Sequence, residues 1–526
     1  MSDSWRITVS EIDRSQTVNA SPGNTGAMVI RASKGPVKPV YVSTADEKRI
    51  IDIFGKPSSS YPDVWEVIQF NKAAPLWISA PYDATATLGG VVVGANGTRS
   101  LNASDGIDPD SLTSFTFGGA SEYFVLAAIS PYSDDLGVKV SYNSVSDLFT
   151  VQVYITEDSG TTWTYIAEYV VSETAGTKDG YNANVFVEEI FGDDPLTNDY
   201  LQAYANTSAN VSSNGFTDDA AVVPLGGGAR GSAITITEMT TGWNYFQSPR
   251  TYAADIFMDS TADDGIPTLF NTLRDTYQKY ATYIIALPDN ESYSTAITTK
   301  QNYSINNRGL AFYWNHGRVR DTYNDTSFWT SLIGCVGYKL ARMVDVYNGL
   351  APSWANENGH GGQLSGFGIL EMRYDPSEDN LETLDDNGIN PIIFDPGYGV
   401  MIVSQRTAKT PQLLSDDSWI AHSRLFDYII SNVKEQVLVY QITKLNDTTH
   451  RQIAAAKADQ IIAPIAALGI IADYGVQCNT ANNTAQILAD RKFVLTVAVK
   501  VTVFSEKITF NFVKVGQTLE VSQFIG

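Results

Sequence analysis

Apolar residues alternate in short runs near the start of the chain, switch to a helical spacing, and switch back. Ala27 to Arg31, Val40 to Ser43 and Leu76 to Ser79 read as strands, with helices near Ala45 to Phe54 and Val64 to Lys72. Beyond residue 250 the pattern repeats as strand Ala253 to Met258, helix Ile266 to Tyr280, strand Thr282 to Leu287, helix Tyr293 to Ile305, strand Gly309 to Trp314 and helix Phe328 to Val346. Such alternation predicts an α/β layer. Between the two stretches lie only short alternating strands, among them Tyr123 to Ala127, Gly137 to Tyr142 and Leu148 to Tyr154. They predict an all-β sandwich or barrel inserted into the α/β domain.

The last third differs again. Leu425, Ile429, Val433, Val437 and Tyr440 share one face of a helix from Ser423 to Tyr440, and Ile453, Ile461, Ile465 and Leu468 share one of a helix from Thr449 to Leu468. Phe493, Leu495, Val497, Val499, Val501 and Val503 then alternate without a slip, and Ile508, Phe510 and Phe512 alternate after them, predicting a hairpin. At the two ends Trp5, Ile7 and Val9, and Leu519 and Val521, read as edge strands with no evident partner within the subunit.

Charge sharpens the division. The chain carries −23 overall, and residues 86–240 hold 4 Lys+Arg against 20 Asp+Glu, whereas residues 400–526 hold 12 against 10. An acidic chain is a poor partner for nucleic acid or anionic membranes, which call for basic surfaces. Cys335 and Cys478 are too few for a disulfide framework, and no basic-then-apolar leader opens the chain, so folding in a cytoplasm is expected. The run Ile461 to Ala472 is too short to span a bilayer.

Several motifs invite chemistry and do not sustain it. Thr156, Asp158, Gly160, Thr162 and Trp163 have the spacing of an Asp-box, but the spacing occurs once, and the flanks read as a plain hairpin with Gly160 at positive φ. Gly226, Gly228 and Gly231 satisfy GxGxxG, yet Ala233 to Thr237 is β-branched and strand-like, so no helix start is expected to hold a pyrophosphate; the glycines read as a hinge. His316, His360, His422 and His450 form no HExxH or i, i+4 pair, and Asn358 to Gln363 has no nucleophile elbow to serve. Asp259 to Gly265 lacks EF-hand spacing and reads as a solvated capping turn. No catalytic, cofactor or metal site is expected.

The chain resembles the tail sheath proteins of contractile bacteriophages over its first 85 residues or so and everything after Leu225. The resemblance rests on GAMVIRASKGPVKPVYVSTADEKRIIDIFGKP, on Gly388, Ile389, Asn390, Gly399, Arg406 and Thr407, on Arg424 before the long helix, on Val476, Cys478, Asn483 and Thr484, and on Lys507 to Phe512. Ala229 and Arg230 depart from the acidic residue usual before the last glycine of the return segment.

The resemblance implies a multidomain α+β, α/β fold. Its parts are an N-terminal arm strand (1–20), an α/β domain (21–85 plus 226–385), an inserted acidic β-rich outer domain (86–225), an inner sheath domain (386–515) and a C-terminal arm strand (516–526). It implies a non-enzymatic subunit of the virion tail, assembled in the host cytoplasm as stacked hexameric rings around a tail tube, with baseplate and tail terminator proteins as further partners and no direct membrane insertion. The arms Trp5, Ile7, Val9, Leu519 and Val521 would add to the hairpin of Val497, Val499, Val501, Ile508, Phe510 and Phe512 in a neighbour, while Arg424, Lys434 and Lys444 would face the tube. Sheaths of contractile bacteriocins or injection systems fit the same residues, and an Asp-box glycan-binding protein is the reading from another class.

Overall fold

The computed structural model describes residues 24–102, 105–109, 111–131, 135–156, 160–192, 200–209, 211–342, 362–409, 415–441 and 444–502. The chain divides into two compact units, Met1–Ile430 and Ser431–Gly526.

The first unit is organised by an eight-stranded sheet. Its spatial order is Gly399–Ile402, Ile389–Asp395, Leu310–Trp314, Thr282–Ala286, Ile256–Asp259, Gly26–Val29, Leu76–Ser79 and Val40–Val42. The six inner strands run parallel, and only the two edges are antiparallel. Parallel strands of this kind are covered on both faces, and here successive residues feed two separate cores. Met28, Met258, Ile284 and Tyr313 point to one, which includes Phe54, Phe70 and Val336. Val29, Phe257, Tyr283 and Phe312 point to the other, which includes Trp243, Phe270 and Leu384. A one-residue slip of any strand would exchange its contributions to the two cores.

Residues 88–224 form two four-stranded antiparallel sheets. One contains Leu201–Ala205, Glu122–Pro131, Leu88–Gly94 and Gly97–Ser100; the other contains Val223–Pro224, Leu136–Asn143, Leu148–Ile155 and Thr164–Val171. Val91, Val93, Phe124 and Leu126 of the first meet Val138, Val140, Phe149 and Val151 of the second in a shared core, so this is a β-sandwich. Chain entry and exit are adjacent: Thr87 pairs with Ala229 and Gly90 with Gly226.

Gly160 has a φ of 87°, and its N–H donates to Thr156 Oγ1 at 3.1 Å, closing the hairpin between Leu148–Ile155 and Thr164–Val171. Asp158 lies outside the described residues.

Some elements depart from the sequence pattern. The β-branched run after the glycines is not a strand: Ile236–Asn244 is a helix, capped by Thr235, with Glu238 Oε2 accepting the Thr235 N–H at 2.7 Å. This capping box outweighs local β propensity, and Met239 and Trp243 anchor the helix in the core. The expected helix from Phe328 is a strand, Thr326–Thr330, followed by a helix that begins only at Ile333. The Asp259 to Gly265 turn is not solvated at its root, because Asp259 is fully buried and its Oδ1 accepts the Thr261 N–H at 3.1 Å.

In the second unit the helix Thr448–Ala467 packs beside a two-stranded antiparallel sheet of Ile471–Gln477 and Thr496–Val501. Its buried stripe runs through Arg451, Ala454, Ala458, Ile461, Ile462 and Ile465. Ile453 lies off this stripe and is exposed, and Leu468, the capping residue just past the helix end, is exposed as well.

Candidate functional site

Asn390, Arg406 and Thr407, among the motif residues that carry the family resemblance, are buried braces. Asn390, fully buried in the central sheet, donates from Nδ2 to the carbonyl oxygens of Phe312 at 3.0 Å and Arg406 at 2.8 Å, and its Oδ1 accepts the Arg406 N–H at 2.6 Å. Arg406 in turn forks onto Asp385 Oδ2 through Nε at 3.0 Å and an Nη at 2.7 Å, with its guanidinium 3.6 Å from the Trp419 ring centroid. Thr407 donates its hydroxyl to the Asp417 carbonyl oxygen at 2.7 Å. Gly388 and Gly399 have φ of 71° and 76°, the left-handed region that favours glycine. One stretch of sequence thereby ties a strand, a helix and the segment leading to the long helix.

That long helix, Ile420–Gln441, is rooted in charge. Asp427 Oδ2 accepts from Arg274 at 2.6 Å and its Oδ1 from Arg308 at 2.7 Å, with Asp427 and Arg274 both buried. Arg308 also lies 3.8 Å from Asp417. The sequence pattern did not single out this Arg–Asp–Arg cluster. Its one signal is an acid on a helix stretch that is apolar on more than one side.

The root also corrects one assignment. Arg424 is not a surface cation: it is 8% exposed, donates to the Leu340 carbonyl oxygen at 3.4 Å, and burial lowers its pKa to about 10 beside Asp255 and Tyr313. A guanidinium enclosed in this way cannot meet a partner. Lys434 and Lys444 are exposed.

In the second unit, Val497 pairs with Val476, Val499 with Tyr474 and Val501 with Ile471. Val501 is buried, and Val497 and Val499 are half-buried. Among the described residues this strand has a single ladder partner, so the hairpin expected with Ile508, Phe510 and Phe512 lies outside them, as do the arm residues Trp5, Ile7, Val9, Leu519 and Val521. Asn483 locks the sheet's connection: its Nδ2 donates to the Val494 carbonyl oxygen at 2.8 Å, and its Oδ1 accepts the Val494 N–H at 2.9 Å. Thr484 caps the helix Ala485–Ala489.

Two of the described histidines have evident structural partners. His316 Nε2 lies 3.0 Å from the Leu287 carbonyl oxygen, with its pKa held down by burial, and Asp447 caps the helix Thr448–Ala467 by accepting the His450 N–H at 2.8 Å, with the His450 Nδ1 also 2.8 Å away. Among the described residues no cluster of His, Cys, Asp and Glu is arranged to hold a metal, and no helix is long and apolar enough to cross a membrane.

The described residues thus form a doubly covered α/β sheet, a sandwich inserted through a paired neck, and a long helix braced at its root. In sequence the chain is similar to the tail sheath proteins of contractile phages. It is 22% identical over 390 residues to the tail sheath protein of Enterobacteria phage T4, covering 69% of this chain and 56% of that one. The chain thus spans just over half the length of the curated relatives it matches. No family model matches it. The fold is shared with a sheath tail protein of Listeria innocua, at a TM-score of 0.55 and 14% identity over 91% of this chain and 95% of that one. A sheath tail protein of Desulfitobacterium hafniense matches at 0.50 and 13% identity, over 87% and 91%.

Proposed function

We propose that this chain is the repeating subunit of a contractile sheath in a phage tail. It polymerises as stacked hexameric rings around a tail tube, abuts baseplate and terminator proteins, and shortens to drive the tube through a host envelope. The observation that carries the reading is the relationship to phage tail sheath proteins over 390 residues. The physics is that of a bistable polymer, in which each subunit has two packings and the extended one persists until an end is released.

Within that reading the acidic 86–225 block faces water, where its charge keeps particles apart, and the near-neutral 386–515 region faces the tube. Lys434 and Lys444 remain as tube contacts, individually weak and salt-screened and therefore releasable. The arms around Trp5 to Val9 and Leu519 to Val521 add as strands to the sheet of Val497, Val499 and Val501 in a neighbouring subunit, where main-chain bonds join subunits without fixing domain orientation.

Negative-stain microscopy of the purified chain with its tube protein tests the whole reading. Long striated cylinders are expected; a persistent monomer at high concentration with the tube present overturns it.

A further inference from the structure

The sandwich has a second, outward face that is also apolar. On the sheet containing Leu88–Gly94 and Glu122–Pro131, Leu88, Val92, Val125 and Ala127 point away from the shared core, and Leu101, Ile107 and the half-buried Phe115 and Phe117 cover them. This cover is firm, because Phe115 meets Phe117 edge-on at 5.1 Å and Phe117 stacks on Tyr204 at 5.8 Å. Where it meets the Gly97–Ser100 strand, a cleft of about 440 Å³ opens. That volume falls within the usual range for small-molecule sites.

The walls of the cleft have a definite chemistry. Arg99, from the strand, reaches Asp105 Oδ2 at 3.4 Å and Glu122 Oε1 at 3.3 Å, while Glu122 Oε2 accepts the Gly118 N–H at 2.6 Å. Asp108 lies alongside, Phe115 and Ile107 supply apolar surface, and Ser114 and Thr116 supply hydroxyls. Three carboxylates against one guanidinium repel a phosphate or a carboxylated ligand. A purely apolar ligand would desolvate the paired charges of the wall with no new bond in exchange, and a bare metal ion would leave the volume unfilled. A ligand that fits all of this carries hydroxyls that donate to carboxylates and accept from Arg99, together with a C–H face to lie on the Phe115 ring.

We propose that this cleft binds a neutral saccharide of about two rings, using Phe115 as the platform and Arg99, Asp108 and Glu122 as the polar frame. The site lies on the sheet opposite the Asp-box-like hairpin and does not depend on it. It does not rest on the sheath reading, because the cleft is built within one sandwich and needs no second subunit.

The test is a panel of neutral di- to tetrasaccharides titrated against the full chain by calorimetry, with Phe115→Ala, Asp108→Asn and, as a control on the opposite sheet, Tyr165→Ala. The expected result is saturable binding that Phe115→Ala and Asp108→Asn each weaken by about tenfold or more while Tyr165→Ala leaves it unchanged; Asp108→Asn does so at an unchanged thermal midpoint, whereas Phe115→Ala, which also uncovers Leu88 and Val92, lowers the midpoint and is titrated well below it. No saturable binding to any member of the panel overturns the proposal, as does loss with Tyr165→Ala alone. Spermidine is titrated alongside as a cationic competitor for the carboxylates, and tighter binding of it than of every sugar overturns the assigned ligand class.

Discussion

Glu66 Oε2 accepts the Gly334 N–H at 2.7 Å, and the Gly334 Cα lies so close that an added Cβ would sit 2.0 Å from the Glu66 carbonyl oxygen. The same carboxylate accepts the Leu332 N–H at 2.6 Å and the hydroxyls of Ser331, at 3.1 Å, and Thr330. One buried side chain therefore closes the start of the helix Ile333–Arg342 against the helix Pro62–Asn71. Glu66→Ala leaves these donors dry, and a loss of about 3 kcal/mol or more is expected in urea unfolding of the unassembled chain. Gly334→Ala should cost about 1–3 kcal/mol through backbone displacement alone.

Stability should also fall as pH rises through neutrality. Burial lifts Glu66 and Asp259 each to about 7, well above their ordinary carboxylate values. A carboxyl whose folded pKa is raised holds its proton more tightly in the native state. Its stabilising contribution is therefore complete below the unfolded pKa and is lost as pH climbs to the folded one. Each group should remove roughly 1 kcal/mol per pH unit between about pH 5 and 7. Denaturant midpoints measured from pH 5 to 8 should show this slope, and Asp259→Asn should remove about half of it, leaving the Glu66 share.

Asp427→Ala should be among the most damaging single changes in the first unit. It leaves the guanidiniums of Arg274 and Arg308 facing a site built for an anion, and a cost of about 3–5 kcal/mol is expected. Hydrogen exchange should show the residues around 420–430 opening first.

The neck sets where the insertion can be removed. Joining Thr87 to Ala229, which already pair, by a short Gly-Ser linker should leave a soluble, folded subunit, because the α/β domain keeps both cores. Extending the deletion to Thr240 removes the capping box and Met239, and should yield aggregated protein. Expression and circular dichroism of the two deletions separate these outcomes.

Charge reversal should divide the basic residues of the long-helix region into two kinds. Lys434→Glu and Lys444→Glu are expected to leave the thermal midpoint unchanged and to weaken co-assembly with the tube protein more at low salt than at high. Arg424→Glu places an acid beside Asp255 in an enclosed site and should lower the midpoint by several degrees. Equal behaviour of all three would remove the distinction.

These contrasts mark where the sequence was readable. Short apolar runs between helical stretches revealed the central strands, and alternation revealed the sandwich, whose strands bury every second residue. The helix at Ile236 was hidden by its own β-branched residues, although Thr235 and Glu238 spelled out its cap. Arg424 was misplaced because the helix root is buried nearly all round, so a single apolar stripe described only part of its packing. Asn390 stood out as a motif residue, but its partners, the carbonyls of Phe312 and Arg406, become neighbours only once the parallel strands are laid side by side. The sandwich cleft was invisible for a similar reason: Arg99, Phe115 and Glu122 meet across a fold rather than along a segment.

A sheet whose alternate residues are gripped by two separate cores behaves as a stiff plate. Pressed from either side, it has no loose face along which to shear, and its strands cannot change register without emptying both interiors. In the proposed sheath, shortening would then be taken up at the joints between such plates, as the links of a chain shift while each link keeps its shape.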